Sequence, residues 1–390
     1  MVNGYVRHLT GHDMGVVIVD WARSPFHRAH KGDLRSVRPD DLASQVISDL
    51  AKRNDIDVSS YDDLILGCAY PEAEQGYNLG RLVTSLSGFP NTVPGMTINR
   101  LCGSSMHAIL SAASNIQSGW GDCYMCAGVE SMSRVKRRGF NWSPNPKLSI
   151  DWPQAYVEMG ETAENVAQKW NITREQQEQF AFESHMKSTN AVSDGNFADE
   201  LIEIKSDSKV VSADGCIRSE TSIEAMSGLM PVFSDSGTVT AATSSPLTDG
   251  AAALIVCSEE FASSNGLQPL VRIVSGAATG CEPELMGMGP VSATRKVLDN
   301  ADWDIDSVDV FELNEAFSSQ SLAVISELGI DTSCVNIDGG AISIGHPLGA
   351  SGARITGKAS SILRRIGGTR AIATMCIGGG MGMAMALEKI

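Results

Sequence analysis

Two stretches of this 390-residue chain run through the same order of strand-like and helix-like segments, and that repetition restricts the possible folds more than any other feature. In the first, residues 16–19 read as a strand. Residues 41–53 set Leu42, Val46 and Leu50 on one helical stripe. Residues 64–66 form a short strand, 78–87 a helix and 96–98 a strand. A tight bend and a helix to about Ile116 follow, and 123–127 return as a strand. In the second stretch the strands are 271–274, 308–313, 335–337 and 372–375. The helices are 291–301, 316–328 and one that leaves a glycine-rich bend at 339–352 and runs to about Arg365. Alternating strands and helices predict an α/β fold. Recurrence of the order without close identity predicts an ancient duplication, with two halves side by side around mainly parallel sheets.

Between the halves the composition changes. Residues 128–245 are polar and loop-rich, and include Asn141-Trp142-Ser143-Pro144-Asn145-Pro146. They carry two helices near 161–170 and 174–190, the second opened by a capping box of Thr173 and Gln176. Such an excursion could cover a site as a lid. Residues 251–257 read as a strand returning to the first half. The expected division is a first half at 1–127 completed by 246–270, a loop domain at 128–245 and a second half at 271–390. The first dozen residues read as a polar extension without the apolar core of a secretory signal, no run approaches a membrane span, and Leu387-Glu388-Lys389-Ile390 is not a peroxisomal address. A cytoplasmic protein is expected.

The net charge of −16 argues against a nucleic-acid partner. Arg134, Lys136, Arg137 and Arg138 form the densest basic run. It reads as a solvated loop, with a handle for a phosphorylated ligand or an acidic membrane as the sharper alternative. The nine cysteines have no regular spacing, so a disulfide framework is not expected. Cys68, Cys123, Cys126 and Cys257 lie in apolar runs and read as buried thiols. Cys123 and Cys126 have CxxC spacing, but no second pair follows, so an alternating strand is the better account and no metal site is expected.

Chemistry concentrates at four strand ends: Cys102, Asn314, His346 and Cys376. The bend before Cys102 puts its thiol at the first turn of a helix. Free backbone N–H groups and the helix dipole there are predicted to lower its pKa. A thiol and an imidazole are what a nucleophilic acyl transferase needs. Each residue also has a plain structural reading: Asn314 as a helix cap, His346 as a turn residue, Cys376 as a small core residue. Together they make one coherent set of roles.

The motifs around them resemble those of the thiolase family. Asn99-Arg100-Leu101-Cys102-Gly103-Ser104-Ser105-Met106 is similar to its nucleophile motif, and Gly128-Val129-Glu130-Ser131-Met132-Ser133 to its next strand end. Asn314-Glu315-Ala316-Phe317, the run from Gly339 to Gly352, and Cys376-Ile377-Gly378-Gly379-Gly380-Met381-Gly382 match the remaining signatures. The resemblance spans residue 16 to the C-terminus. It implies a duplicated five-layered α-β-α-β-α fold with an inserted loop domain.

It also implies roles. Cys102 is the nucleophile, His346 its base and Cys376 the general acid. His346 with a water held by Asn314 forms one oxyanion hole, and the N–H groups of Cys102 and Gly378 form the other. Ser245 is placed at the pantetheine arm of CoA, Arg218 near the adenine, and Met159, Met286 and Phe317 in the acyl or pantetheine pocket. The implied activity is a degradative 3-ketoacyl-CoA thiolase of fatty-acid β-oxidation, with CoA as co-substrate and no permanently bound cofactor. The alternatives are a biosynthetic acetoacetyl-CoA thiolase and an inactive acyl-CoA-binding protein. A homodimer or homotetramer is implied, with a multifunctional hydratase–dehydrogenase subunit as a possible partner. Two departures stand out. Leu229-Met230-Pro231 replaces the frequent Leu-Arg-Pro of the lid, and Gly103-Ser104-Ser105 the commoner Gly-Ser-Gly.

Overall fold

The computed structural model describes residues 15–206 and 208–390. The expected N-terminal extension lies outside them. Nine main strands are β1 (Val16–Arg23), β2 (Asp63–Gly67), β3 (Gly95–Ile98), β4 (Cys123–Ser131), β5 (Thr248–Ser258), β6 (Val271–Gly280), β7 (Val310–Leu313), β8 (Arg370–Ile377) and β9 (Met381–Lys389). They form one sheet in the order β7-β8-β9-β6-β1-β5-β4-β2-β3, with the short strand His27–Arg28 beside β5. The β1–β6 seam is only three residue pairs long, Val16 to Ile18 against Val271 to Ile273. On either side of it the two halves mirror each other.

The helices complete the layers. On the outer face of the first half lie α1 (Pro39–Arg53) and α2 (Leu79–Leu86). Leu42, Val46, Ile47 and Leu50 of α1 are fully buried against β4 and β5. On the outer face of the second half lie α6 (Gly289–Ala301) and α7 (Ser318–Leu328). Ahead of these in the chain, α3 (Ser104–Gln117) belongs to the middle layer, while α4 (Met159–Lys169) and α5 (Arg174–Ser193) belong to the excursion. The long helix α8 (Leu348–Ile366) packs on α3 and touches strands of both halves. It is buried on nearly every side, as a central-layer helix must be. A Cβ on Gly352 would come within 2.4 Å of the Met106 nitrogen, so the two central helices cross backbone to backbone. Five layers result, as expected.

Two expectations need correction. The sheets are mixed rather than mainly parallel. Only β2–β3, β2–β4 and β7–β8 pair in parallel. The tight turn through Gly378, Gly379 and Gly380 forces β8 and β9 into a hairpin, and the long excursion returns β5 antiparallel to both β4 and β1. Residues 335–337 form no strand either. One parallel bridge, Val335 to Phe311, survives. Asn336 sits at φ +46°, and its amide accepts from the Leu313 N–H (2.9 Å) and donates to the Leu313 carbonyl (2.9 Å), so a side chain replaces the ladder.

The excursion is tied down by buried ion pairs. Arg23 of β1 meets Glu200 and Asp214, both at 2.7 Å, and Glu200 also meets Lys358 of α8 at 2.8 Å. The capping box forms: the Thr173 N–H donates to Gln176 Oε1 (2.8 Å) and the Gln176 N–H to Thr173 Oγ (3.3 Å). Among the described residues no helix is long and apolar enough to cross a membrane.

Candidate active site

Cys102 lies on the turn from β3 into α3, two residues before the helix begins at Ser104. Leu101 is held at φ +47°, a conformation costly for a side chain with a Cβ. Its neighbours lock it there. The Leu101 N–H donates to Asn99 Oδ1 (2.7 Å), and Ser104 Oγ donates to the Leu101 carbonyl (2.6 Å) while accepting from the Arg100 N–H (2.9 Å). The turn presents the thiol to a cavity of about 330 Å³ between the halves and the excursion.

The environment of the thiol corrects the expectation of a lowered pKa. Burial pushes Cys102 up to about 11, and the charge of Glu130 adds to the rise. The N–H groups of Gly378 and of Cys102 itself aim at the sulfur and lower it, as does Arg137, but desolvation wins. Cys376, on β8, is raised further, first by burial and then by Cys102 and Cys281.

His346 lies on the turn into α8. Its Nδ1 is 2.6 Å from Ser351 Oγ, which donates its own proton to the Pro347 carbonyl (3.0 Å). In the tautomer with hydrogen on Nδ1, the ring donates to Ser351 and the single hydroxyl proton goes to Pro347. That leaves Nε2 with a lone pair, 3.3 Å from Asn314 Nδ2. Burial, reinforced by Arg354, lowers the imidazole to about 3. Burial thus favours the uncharged form of both Cys102 and His346.

Cys102, His346, Cys376 and Gly378 line this one cavity, as do Ser245, Met159, Met286 and Phe317. Asn314 is fully buried and reaches the site through His346. It caps no helix, since α7 begins at Ser318 with Phe317 as its cap. Ser245 Oγ donates to the Ala316 carbonyl (3.1 Å). Arg218 does not reach the cavity. It lines an adjoining groove of about 510 Å³ that shares Ser245, Phe317 and Met159 with the cavity and also carries Arg28 and Lys31.

The basic run is a largely solvated loop, with Lys136 and Arg137 exposed and Arg134 and Arg138 half-buried, but it also borders the cavity. Arg134 pairs with Glu74, Arg137 and Arg138 pair with Glu158, and both of the latter arginines line the cavity. Glu158 holds the partly exposed Arg137 and Arg138 beside the cavity.

Two residues were given no role from sequence. Ser351 sets the tautomer of His346, and its spacing five residues on, in the first turns of a helix, was the available signal. Glu130 is a fully buried carboxylate at the end of β4. It accepts from the N–H groups of Ala69 (2.9 Å), Tyr70 (3.2 Å) and Gly349 (2.9 Å) and from Gln75 Nε2 (2.7 Å). Gly349 opens α8, so Glu130 joins the first half to the His346 turn of the second. A charge closing an apolar strand is the signal that it must be fully hydrogen-bonded.

Comparison with known proteins covers almost the whole chain. The family model described as thiolase, N-terminal domain, matches residues 16–260, and that described as thiolase, C-terminal domain, matches 267–389. A protein named 3-ketoacyl-CoA thiolase from Bacillus subtilis (strain 168) is 44% identical over 385 residues, 95% of this chain and 98% of that protein. One of the same name from Saccharophagus degradans is also 44% identical, covering 96% and 98%. The crystal structure of the Bacillus anthracis acetyl-CoA acetyltransferase superposes with a TM-score of 0.89 at 38% identity, covering 97% of this chain and 99% of that one.

Proposed function

From the premise that the chain belongs to the thiolase family of acyltransferases, we propose that it is a 3-ketoacyl-CoA thiolase. It would cleave 3-oxoacyl-CoA with free CoA to acetyl-CoA and an acyl-CoA two carbons shorter. The observation that carries this reading is the meeting of Cys102, His346 and Cys376 from three distant segments on one cavity.

Cys102 attacks the 3-keto carbon, and His346 Nε2 takes its proton during the attack. The Nδ1–H tautomer held by Ser351 leaves that nitrogen free to do so. Negative charge develops on the keto oxygen and then on the thioester oxygen of the departing enolate. One is met by His346, now bearing the proton, with Asn314. The other is met by the N–H groups of Cys102 and Gly378. Each such donor supplies about 10²–10³ in rate. Breaking the C2–C3 bond leaves the enolate of acetyl-CoA, and Cys376 protonates its carbon. A thiol whose pKa is raised holds its proton until so basic an acceptor forms. The incoming CoA thiol gives its proton to the Cys376 thiolate and its sulfur takes the acyl group. The released Cys102 thiolate recovers its proton from His346.

CoA enters along the groove shared with the cavity. Ser245 flanks the pantetheine arm, and Arg218 faces the nucleotide end. The reading places the chain at the thiolytic step of fatty-acid β-oxidation, in a homodimer or homotetramer, with a hydratase–dehydrogenase subunit as candidate partner. A second reading, condensation of two acetyl-CoA molecules, is favoured by the likeness to an acetyl-CoA acetyltransferase and uses the same groups in reverse.

The test is CoA-dependent thiolysis of 3-oxoacyl-CoAs from four carbons upward, with Cys102→Ala as control. Turnover beyond four carbons that vanishes in the variant supports the degradative reading. Turnover confined to acetoacetyl-CoA moves the assignment to condensation. No turnover of any substrate leaves an acyl-CoA-binding protein.

A further inference from the structure

Beyond the reacting groups the cavity divides in two. On one side its wall is shared with the CoA groove, through Ser245, Leu247 and Phe317. The other side belongs to the cavity alone and includes Tyr70, Arg138, Trp142 and Tyr156. If CoA takes the shared wall, the acyl chain extends toward this second wall. A pocket for plain hydrocarbon would be apolar throughout. This one holds the Arg138 guanidinium, with Arg137 at its junction with the groove.

Arg138 is held there at a conformational cost. Its φ is +70°, a left-handed conformation uncommon for a residue with a side chain, and Gly139 follows at φ +70°. Its Nη2 donates to the Tyr156 carbonyl (2.8 Å) and is ion-paired with Glu158 at 2.8 Å, and the guanidinium lies 4.6 Å from the centre of the Trp142 ring. Arg137 pairs with the same Glu158 and stands where cavity and groove join. One carboxylate thus faces two guanidiniums. An excess positive charge and unused N–H donors remain on side chains about one-third exposed.

We propose that Arg137 and Arg138 form a site for a carboxylate at the far end of the acyl chain. The preferred substrates are then 3-oxoacyl-CoAs whose chain ends in an anion rather than a methyl group. This rests on the thiolase reading and names its substrate class. The thiolysis itself is unchanged: acetyl-CoA leaves, and the product is a carboxyacyl-CoA shortened by two carbons. Planar guanidiniums suit a carboxylate because each offers parallel N–H donors.

The experiment compares two six-carbon substrates, 3-oxohexanoyl-CoA and 3-oxoadipyl-CoA, on the full-length enzyme. They differ only in the terminal group and share all of CoA. The wild type is expected to favour the carboxylate in kcat/KM by roughly ten- to a hundredfold, the range of a charged hydrogen bond. Arg138→Met and Arg137→Met should each collapse that ratio. Glu158→Gln, which removes the competing carboxylate without loss of bulk, should raise it. This opposite sign keeps the test meaningful should an arginine variant fold poorly. A wild-type preference for the methyl-ended substrate overturns the proposal. So does an equal loss on both substrates in the arginine variants, which would assign the arginines to the phosphates of CoA. Failure to cleave either substrate removes the thiolase reading itself.

Discussion

The Cys102 and His346 turns occupy corresponding places in the two halves, each leading into a helix of the central layer, but they are held by opposite means. The Cys102 turn is fastened from within, by Asn99, Arg100, Leu101 and Ser104. The His346 turn has the Ser351 contact within it, but its main fastenings come from outside. Thr248 Oγ accepts the His346 N–H (3.0 Å), Glu130 accepts that of Gly349, and Asn314 meets the ring. A nucleophile must be presented on a stiff local bend, whereas a base must be placed relative to a nucleophile in another half. The first task can be encoded in eight consecutive residues. The second needs partners from three separate segments.

The comparison breaks first at His346 itself. His346→Ala removes the proposed base and one proposed oxyanion contact, and thiolysis should fall by about 10²–10⁴-fold. Alkylation of Cys102 by iodoacetamide offers the contrast. With the thiol near 11 in the folded protein, its rate should keep climbing through pH 9 and 10, with or without His346. A plateau near pH 7 in the wild type that disappears in the variant would mean a thiolate–imidazolium pair, against the uncharged forms that burial favours.

Glu130→Gln should act on both turns at once. An amide cannot accept from all four donors, since its NH2 must face two of them, so stability should drop by about 1–3 kcal/mol. Loosening α8 misplaces His346, and kcat should fall by roughly tenfold or more with KM less affected. The alkylation profile should move the other way. Glu130 raises the Cys102 pKa, so neutralising it lowers that pKa and speeds alkylation at a fixed pH of 8. A merely structural carboxylate would reduce stability and leave the profile in place.

The same contrast decides what was legible in the sequence. The motif from Asn99 to Met106 carries its own fastenings, so the turn and the helix could both be read there. What failed was the sign of the Cys102 pKa, because the helix dipole is local and visible while burial depends on the whole fold. The strand expected at 335–337 failed for a similar reason. Val335 and Ile337 have strand-like side chains, but Asn336 reaches across to Leu313 and takes over the pairing. Nothing local marked Arg137 and Arg138 as cavity residues, because Glu158, which pairs with both beside the cavity, lies on a different segment. Glu130 was visible as part of a motif, and its partners 61 and 219 residues away were not.

Smaller changes sharpen the comparison. Ser351→Ala removes the acceptor of the Nδ1–H. Neutral imidazole can then place its proton on Nε2, where it blocks base action. A loss in kcat of about tenfold or less is expected, matching one hydrogen bond. Ser351→Thr, which keeps the hydroxyl, should recover part of it.

The mildest expected effect is at Gly378, although it belongs to the proposed catalytic set. Its contribution is an N–H aimed at the Cys102 sulfur, and alanine keeps that N–H. A Cβ there would meet Leu101 Cδ1 at 3.3 Å and Met159 Sδ at 3.4 Å, tight contacts with side-chain ends that can shift. Two residues on, at Gly380, a Cβ would strike the Cys281 carbonyl at 2.3 Å, and φ is +80°. Gly378→Ala should therefore cost thiolysis only a few-fold, while Gly380→Ala should disturb the hairpin and cost at least the 1–3 kcal/mol typical of overpacking. Thiolysis rates and thermal melts of the two variants, measured together, separate the roles. If Gly378→Ala proved as damaging as His346→Ala while melting normally, the backbone there would need more room than this cavity shows. The turn after β8 would then be fastened by the ligand as much as by the protein.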